Sequence, residues 1–214
     1  MLNATPQFIF AAFFTLMIAF TMHEFAHAWT ADQLGDSTPR NAGRLTLNPL
    51  VHLDFFGSIM LIIAGFGWAK PVPVNKAALR QRYAWGPLLV SISGPLSNLV
   101  LAILAGLVLR FGNFSTFASG NEIIPSLPYI LWVFMRLNIG LFLFNLMPIP
   151  PLDGEEILTF LLPRQLGSIY ESIRPYGTTI LLALLVIGPM LNFNLFDAVL
   201  RPIMVVIERL LLGA

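Results

Sequence analysis

The chain has 214 residues, 57% of them hydrophobic and only 11% charged, with a net charge of +1 and a mean hydropathy of +0.78. A soluble domain carries about 25% charged residues, so this composition excludes an ordinary water-soluble fold, and the near-zero charge gives no basis for a nucleic-acid partner. The absence of cysteine removes disulfides, thiolate metal ligands and cysteine nucleophiles.

Residues 6–29 form the first apolar run, close to the ~20 residues that cross a bilayer as a helix, with Trp29 placed as an interfacial anchor. The run lacks a basic leader and a small-residue cleavage site, so it reads as part of the mature protein rather than a secretory signal. Residues 30–54 are polar and punctuated by Gly and Pro, and "GRLTLNP" alternates as a short strand would. The apolar run at 55–68 is short for a span. In "AKPVPVN" the prolines force an extended backbone and remove donors, so a small β-hairpin-like connector is expected near the cytoplasmic face. Gly86 to Arg110 is a full-length span containing "SGPLSN", and residues 111–127 are a polar loop. Pro128 to Met147 is a further span that runs into "PIPPLDG". A short helix to Leu162 and a loop with Arg164, Glu171 and Arg174 follow. Thr178 to about Leu200 reads as the last span, interrupted by Gly-Pro at 188–189, and the tail either lies at the interface or completes that span.

Lys and Arg concentrate on the cytoplasmic side of membrane proteins, and that bias decides whether 55–68 crosses. If it crosses, five basic residues (Arg40, Arg44, Arg110, Arg201, Arg209) face six (Lys70, Lys76, Arg80, Arg82, Arg164, Arg174). If it dips in and returns, the loops divide eight against three, with Arg136 left inside a span. The re-entrant arrangement obeys the rule. The expected fold is therefore all-α and polytopic, with about four transmembrane helices, one re-entrant segment and the β-like connector. It forms a single membrane domain over 1–214, with a core at about 6–163 and a C-terminal span and tail at 178–214. Re-entrant backbone is tolerated only where protein or a water-filled cavity covers it, which implies a wet pocket on the cytoplasmic side.

His23 and His27 lie four apart in "HEFAH", one helical turn from each other on one face, so both imidazoles can reach one ion. Two helical histidines with an enclosed glutamate match the zincin pattern, in which Glu24 is placed to take a proton from water. Such a zinc site needs a third protein ligand. His52, with Asp54 beside it, is one candidate. Asp153, at the end of an apolar span whose helix the prolines break, is the other. The re-entrant topology puts His23, His27 and Asp153 at the same end of their spans, which favours Asp153. The bland alternatives are polar residues paired within a bundle, or Asp153 as the N-cap of the "GEEIL" helix. Asn145 in a Phe/Leu-rich span must find a partner and can serve as a preorganised donor, or simply hydrogen-bond between helices. Asn98, with Gly94, Pro95 and Ser97, suits close helix packing or contact with the site. His52 and Asp54 either stabilise the connector or lie near the centre.

Together "HEFAH", "GWAKPVPVN", "SGPLSN" and "NLMPIPPLDG" resemble the site-2 protease family, zinc metalloproteases that cut within membranes. The likeness runs over about residues 20–155 and is nearest to the minimal prokaryotic branch without PDZ or CBS domains. It implies one Zn2+ held by His23, His27 and Asp153, Glu24 as general base, and Asn145 helping to bind the oxyanion. The acidic pair Glu155–Glu156 is an addition to the pattern. The resemblance also implies transmembrane protein substrates and a prokaryotic plasma membrane, and the charge bias puts the active site towards the cytoplasm. A regulatory membrane partner is open. A helical substrate must unwind to be cut, and Val72 and Val74 of the extended "KPVPVN" are expected to hold it as an added strand. The competing reading is a membrane metal or proton transporter that uses the same His/Glu/Asp cluster, although no internal repeat of the transporter kind is present.

Overall fold

The computed structural model describes residues 5–64, 67–112, 114, 124–191, 194 and 196–213. Their regular structure is helical, with eleven α-helices among them. Helix α1 (Pro6–Gln33) starts where Thr5 accepts a hydrogen bond from the Phe8 amide, with Pro6 in the first turn, where its missing N–H costs nothing. It packs with α6 (Gly86–Phe111) and α7 (Leu127–Asn145) into a three-helix core. All three helices are long and apolar enough to cross a membrane. Close approach is made by small residues, as in membrane bundles generally: Ala11, Ala12 and Ala19 on α1, and Ala102, Ala105 and Gly106 on α6, are all buried.

Four short helices connect α1 to α6: α2 (Thr38–Asn41), α3 (Pro49–His52), α4 (Phe55–Ala64) and α5 (Lys76–Arg82). Leu53 pairs with Ala69 in an antiparallel bridge, and the Lys70 amide donates to the His52 carbonyl at 2.8 Å. The chain therefore leaves along α4 and returns to where it started. Ten residues of helix rise only ~15 Å, about half the apolar thickness of a bilayer. Residues 65–66 lie outside the described ones.

The β-hairpin-like connector does not form. Among the described residues there is no strand, only that single bridge. The reason is visible in the hydrogen bonds. Buried Arg44 spends its guanidinium on the carbonyls of Val51, Lys70 and Pro71, acceptors that a hairpin ladder would need. Pro71 and Pro73 supply no donors on the other side.

Beyond α7 the chain turns through "MPIPP" into α8 (Gly154–Leu161), followed by α9 (Arg164–Ile173), α10 (Gly177–Met190) and α11 (Arg201–Leu212). The last span expected at 178–200 is instead the 14-residue α10 and, after residues outside the described ones, a π-helical turn at Phe196–Leu200. The tail forms α11, which packs against α6 and α7. Leu200 and Met204 pack near Met147, while Leu211 reaches Gly106 and the Leu210 carbonyl accepts from Arg110. Helix α11 thus runs along α6 and α7 from one end of the bundle to the other. Arg136, mid-way along α7, finds its partner there: its Nε lies 2.9 Å from the Glu208 carboxylate, and its guanidinium stacks over Trp132. The polar loop expected at 111–127 falls mostly outside the described residues.

Candidate metal centre

Three residues from two elements bring one ligand atom each to a common point. His23 and His27 face inward from successive turns of α1, with their Nε2 atoms 3.0 Å apart. Asp153, the residue before α8, places Oδ2 3.1 Å from His23 Nε2 and Oδ1 3.3 Å from His27 Nε2. Asp153 stands at the N-cap position, yet its side chain makes no capping bond. The "LDG" glycine explains how it gets there. A Cβ on Gly154 would sit 2.3 Å from the Leu146 carbonyl and 2.4 Å from that of Met147, so only glycine lets α8 start hard against the end of α7.

The outward ring nitrogens are committed. His23 Nδ1 lies 2.8 Å from Asn98 Oδ1, and His27 Nδ1 lies 2.7 Å from the Val90 carbonyl. Both partners are acceptors, so both Nδ1 atoms carry protons, and each ring in its neutral form turns the lone pair of Nε2 towards the common point. Two such lone pairs and a carboxylate then converge within 3.0–3.3 Å, an arrangement that a proton or a metal ion between them relieves. A tetrahedral ion bonded at ~2.0–2.1 Å needs donor atoms roughly 3.3 Å apart, and two imidazoles plus one carboxylate are a recurrent zinc donor set. The residues fit a zinc ion. His23, His27 and Asp153 are the one group among the described residues that could hold a metal.

Around this trio the site is closely built. Gly94 of "SGPLSN" lies against both rings: a Cβ there would fall 2.4 Å from His27 Nε2 and 2.7 Å from His23 Cε1. Glu24 is buried, and its Oε2 accepts from the Val72 amide at 3.1 Å, which ties the extended 70–75 segment to the neighbourhood of the centre. Asn75 caps α5, and its own amide donates to Asp36 at 2.7 Å. Glu156, in the first turn of α8, is gripped by Lys76 at 2.7 Å and by Arg80, both from α5, and Glu155 pairs with Arg174. Burial pushes the Glu156 carboxyl up, but the Lys76 and Arg80 hydrogen bonds outweigh it and hold it below its ordinary range.

The other sequence candidates are placed as follows. Asn98 touches the centre directly through His23. His52 is fully buried and bonds the Thr46 carbonyl at 2.8 Å, which makes it a fastener of the connector. Asp54 caps α4 by accepting from the Gly57 amide at 2.8 Å. Asn145 donates to the Leu141 carbonyl one turn back, at 3.0 Å. Val74 packs with Leu34 against the cluster around Leu79. Sequence reasoning missed Arg44, the partners of Glu156, and Asn138, which is fully buried and bonded to Asn98 at 3.0 Å. The signal for Asn138 was the same as for Asn145 two turns later: an amide in an apolar span.

Comparison with known proteins agrees with this geometry. The profile described as "Peptidase family M50" matches residues 112–188, the part that carries Asn145 and Asp153. "Putative zinc metalloprotease YwhC" of Bacillus subtilis (strain 168) is 41% identical over 207 residues, covering 89% of this chain and 92% of the relative. "Putative zinc metalloprotease Rip2" of Mycolicibacterium smegmatis is 34% identical over 194 residues, covering 86% of this chain and 69% of that one. The protein of the same name from Mycobacterium tuberculosis (strain H37Rv) is 29% identical over 197 residues, with the same coverage. No solved structure matches the chain. With "HEFAH" and "LDG" meeting in space and a relative this similar over nearly its whole length, the chain belongs to peptidase family M50, the site-2 protease family of zinc metalloproteases.

Proposed function

We propose that the chain is an intramembrane zinc endopeptidase that hydrolyses peptide bonds in or near transmembrane segments of other membrane proteins. The observation that carries this reading is the meeting of His23, His27 and Asp153 beside buried Glu24, within helices apolar enough for a bilayer. One zinc per chain is the proposed cofactor, held by those three side chains. When bound, it supplies a Lewis acid that polarises a scissile carbonyl and acidifies water. Glu24 accepts the proton of the attacking water and returns it to the leaving amine. The Val72 amide holds the Glu24 carboxylate in place before substrate arrives. Asn145 serves as a donor towards the oxyanion once its side chain turns from Leu141. Val72 and Val74 offer the unwound substrate an extended segment to lie against.

The bias of Lys and Arg supports an active site towards the cytoplasmic side, and the bacterial relatives support a prokaryotic plasma membrane. Substrates are transmembrane proteins, and 1–214 acts as one membrane domain. The test is purified, zinc-loaded protein against Glu24→Gln, each incubated with a transmembrane reporter in lipid. Cleavage by the native chain alone supports the protease. Equal zinc content with no cleavage of several reporters by either form contradicts it.

A further inference from the structure

The hydrogen bonds leading away from the metal centre form a chain that can run in only one sense. The Phe134 carbonyl can only accept, and Asn138 Nδ2 donates to it at 2.9 Å. That turns Asn138 Oδ1 towards Asn98, whose Nδ2 donates to it at 3.0 Å and to the Ala19 carbonyl at 3.3 Å. Asn98 is left with its oxygen for His23, at 2.8 Å. An oxygen there demands a proton on Nδ1, and the neutral ring then offers its lone pair at Nε2, where Asp153 and His27 converge. If the Asn98 amide were reversed, its NH2 would face His23. Nδ1 would have to give up its proton, and Nε2 would gain one and cease to be a ligand. Both asparagines are fully buried, so bulk water cannot substitute for either partner.

We propose that Asn138 is a positioning residue for the metal centre: acting through Asn98, it fixes the ring state of His23 and thereby the affinity for zinc. This inference rests on the zinc reading of the site. His27 needs no such relay, because its partner is a backbone carbonyl, an acceptor by constitution. The two histidines of one motif are therefore held by different means, a relay across three helices for His23 and one direct bond for His27.

The test uses the full chain labelled with 15N-histidine, which contains only three histidines. In the native protein His23 is expected to carry a proton on Nδ1 with or without metal, and to bind zinc through Nε2. Asn138→Leu is expected to lower zinc affinity about tenfold, and to speed exchange of the His23 Nδ1 proton while leaving that of His27 unchanged. Asn138→Asp, kept neutral by burial, can still donate to Phe134 and accept from Asn98, and should bind zinc within about threefold of the native chain. A merely structural asparagine would lower thermal stability and leave both readouts in place. Native-like affinity and exchange in Asn138→Leu overturn the proposal. If that variant does not fold, a native His23 without a proton on Nδ1 overturns it instead. A native chain that binds no zinc would sink the metal reading separately, while the Nδ1 proton still tests the relay.

Discussion

Replacing Gly94 with alanine is expected to disable the metal centre while the bundle stays folded. The added Cβ would lie 2.4 Å from His27 Nε2 and 2.7 Å from His23 Cε1, against 3.4 Å for an ordinary contact. Relief needs a shift of about 1 Å, because 3.4 minus 2.4 is 1.0. Metal bonds tolerate roughly 0.2 Å, so the displaced His27 ring leaves the coordination sphere. A structural zinc site of four ligands is worth about 10–16 kcal/mol, so one ligand is worth roughly 3 kcal/mol, about a hundredfold in Kd. Competition with a chromophoric chelator in detergent or nanodiscs reads this directly. Gly106→Ala, further along the same helix and facing Leu211 and Met135, is the control. It should alter stability and leave zinc affinity alone. Native zinc affinity in Gly94→Ala would refute the packing argument.

Other substitutions probe the supports around the site. Val72→Pro removes the amide that holds Glu24 and should lower kcat without loss of zinc; unchanged turnover counts against the contact and against Val72 as a substrate rail. Glu156→Gln breaks the grip of Lys76 and Arg80. Because both cations are partly exposed, the expected cost is about 1–2 kcal/mol, read by thermal unfolding. Its folded carboxyl sits below the ordinary value, so its stabilisation is complete above the unfolded pKa of about 4.5 and fades as pH falls through the lower folded value. Glu156→Gln should therefore flatten the acid limb of the stability profile. Arg136→Met leaves Glu208 facing apolar helices and should loosen α11 by about 1–2 kcal/mol. Adding Glu208→Met should restore protection of α11 from proteolysis.

What the sequence revealed followed from how local its signals are. Residues four apart on a helix share a face, so "HEFAH" announced two converging ligands before any fold was known. The positive-inside bias required 55–68 to turn back, and the pairing of Leu53 with Ala69 closes that turn. Asp153 was reachable because that topology returned it to the same end of the bundle. Partners set by packing across helices were not legible. Nothing in "RLNIG" shows that Asn138 meets Asn98, or that Arg136 awaits Glu208 in a tail helix 72 residues further on. The strand pattern of "GRLTLNP" misled because period-two alternation says nothing of a buried guanidinium that takes the carbonyls a ladder would use. Prolines and glycines carried two meanings at once: Gly94 read as a helix-packing residue, and its neighbour turns out to be the metal-ligand pair itself.

The proposed activity depends on one ion held by three side chains. The most direct measurement is zinc content and X-ray absorption of the purified protein beside Asp153→Ala. One zinc per chain with two imidazole nitrogens and a carboxylate oxygen, falling by at least tenfold in affinity when Asp153 is removed, is the predicted result. Zinc bound equally well without Asp153, or through a third imidazole from His52, would contradict it.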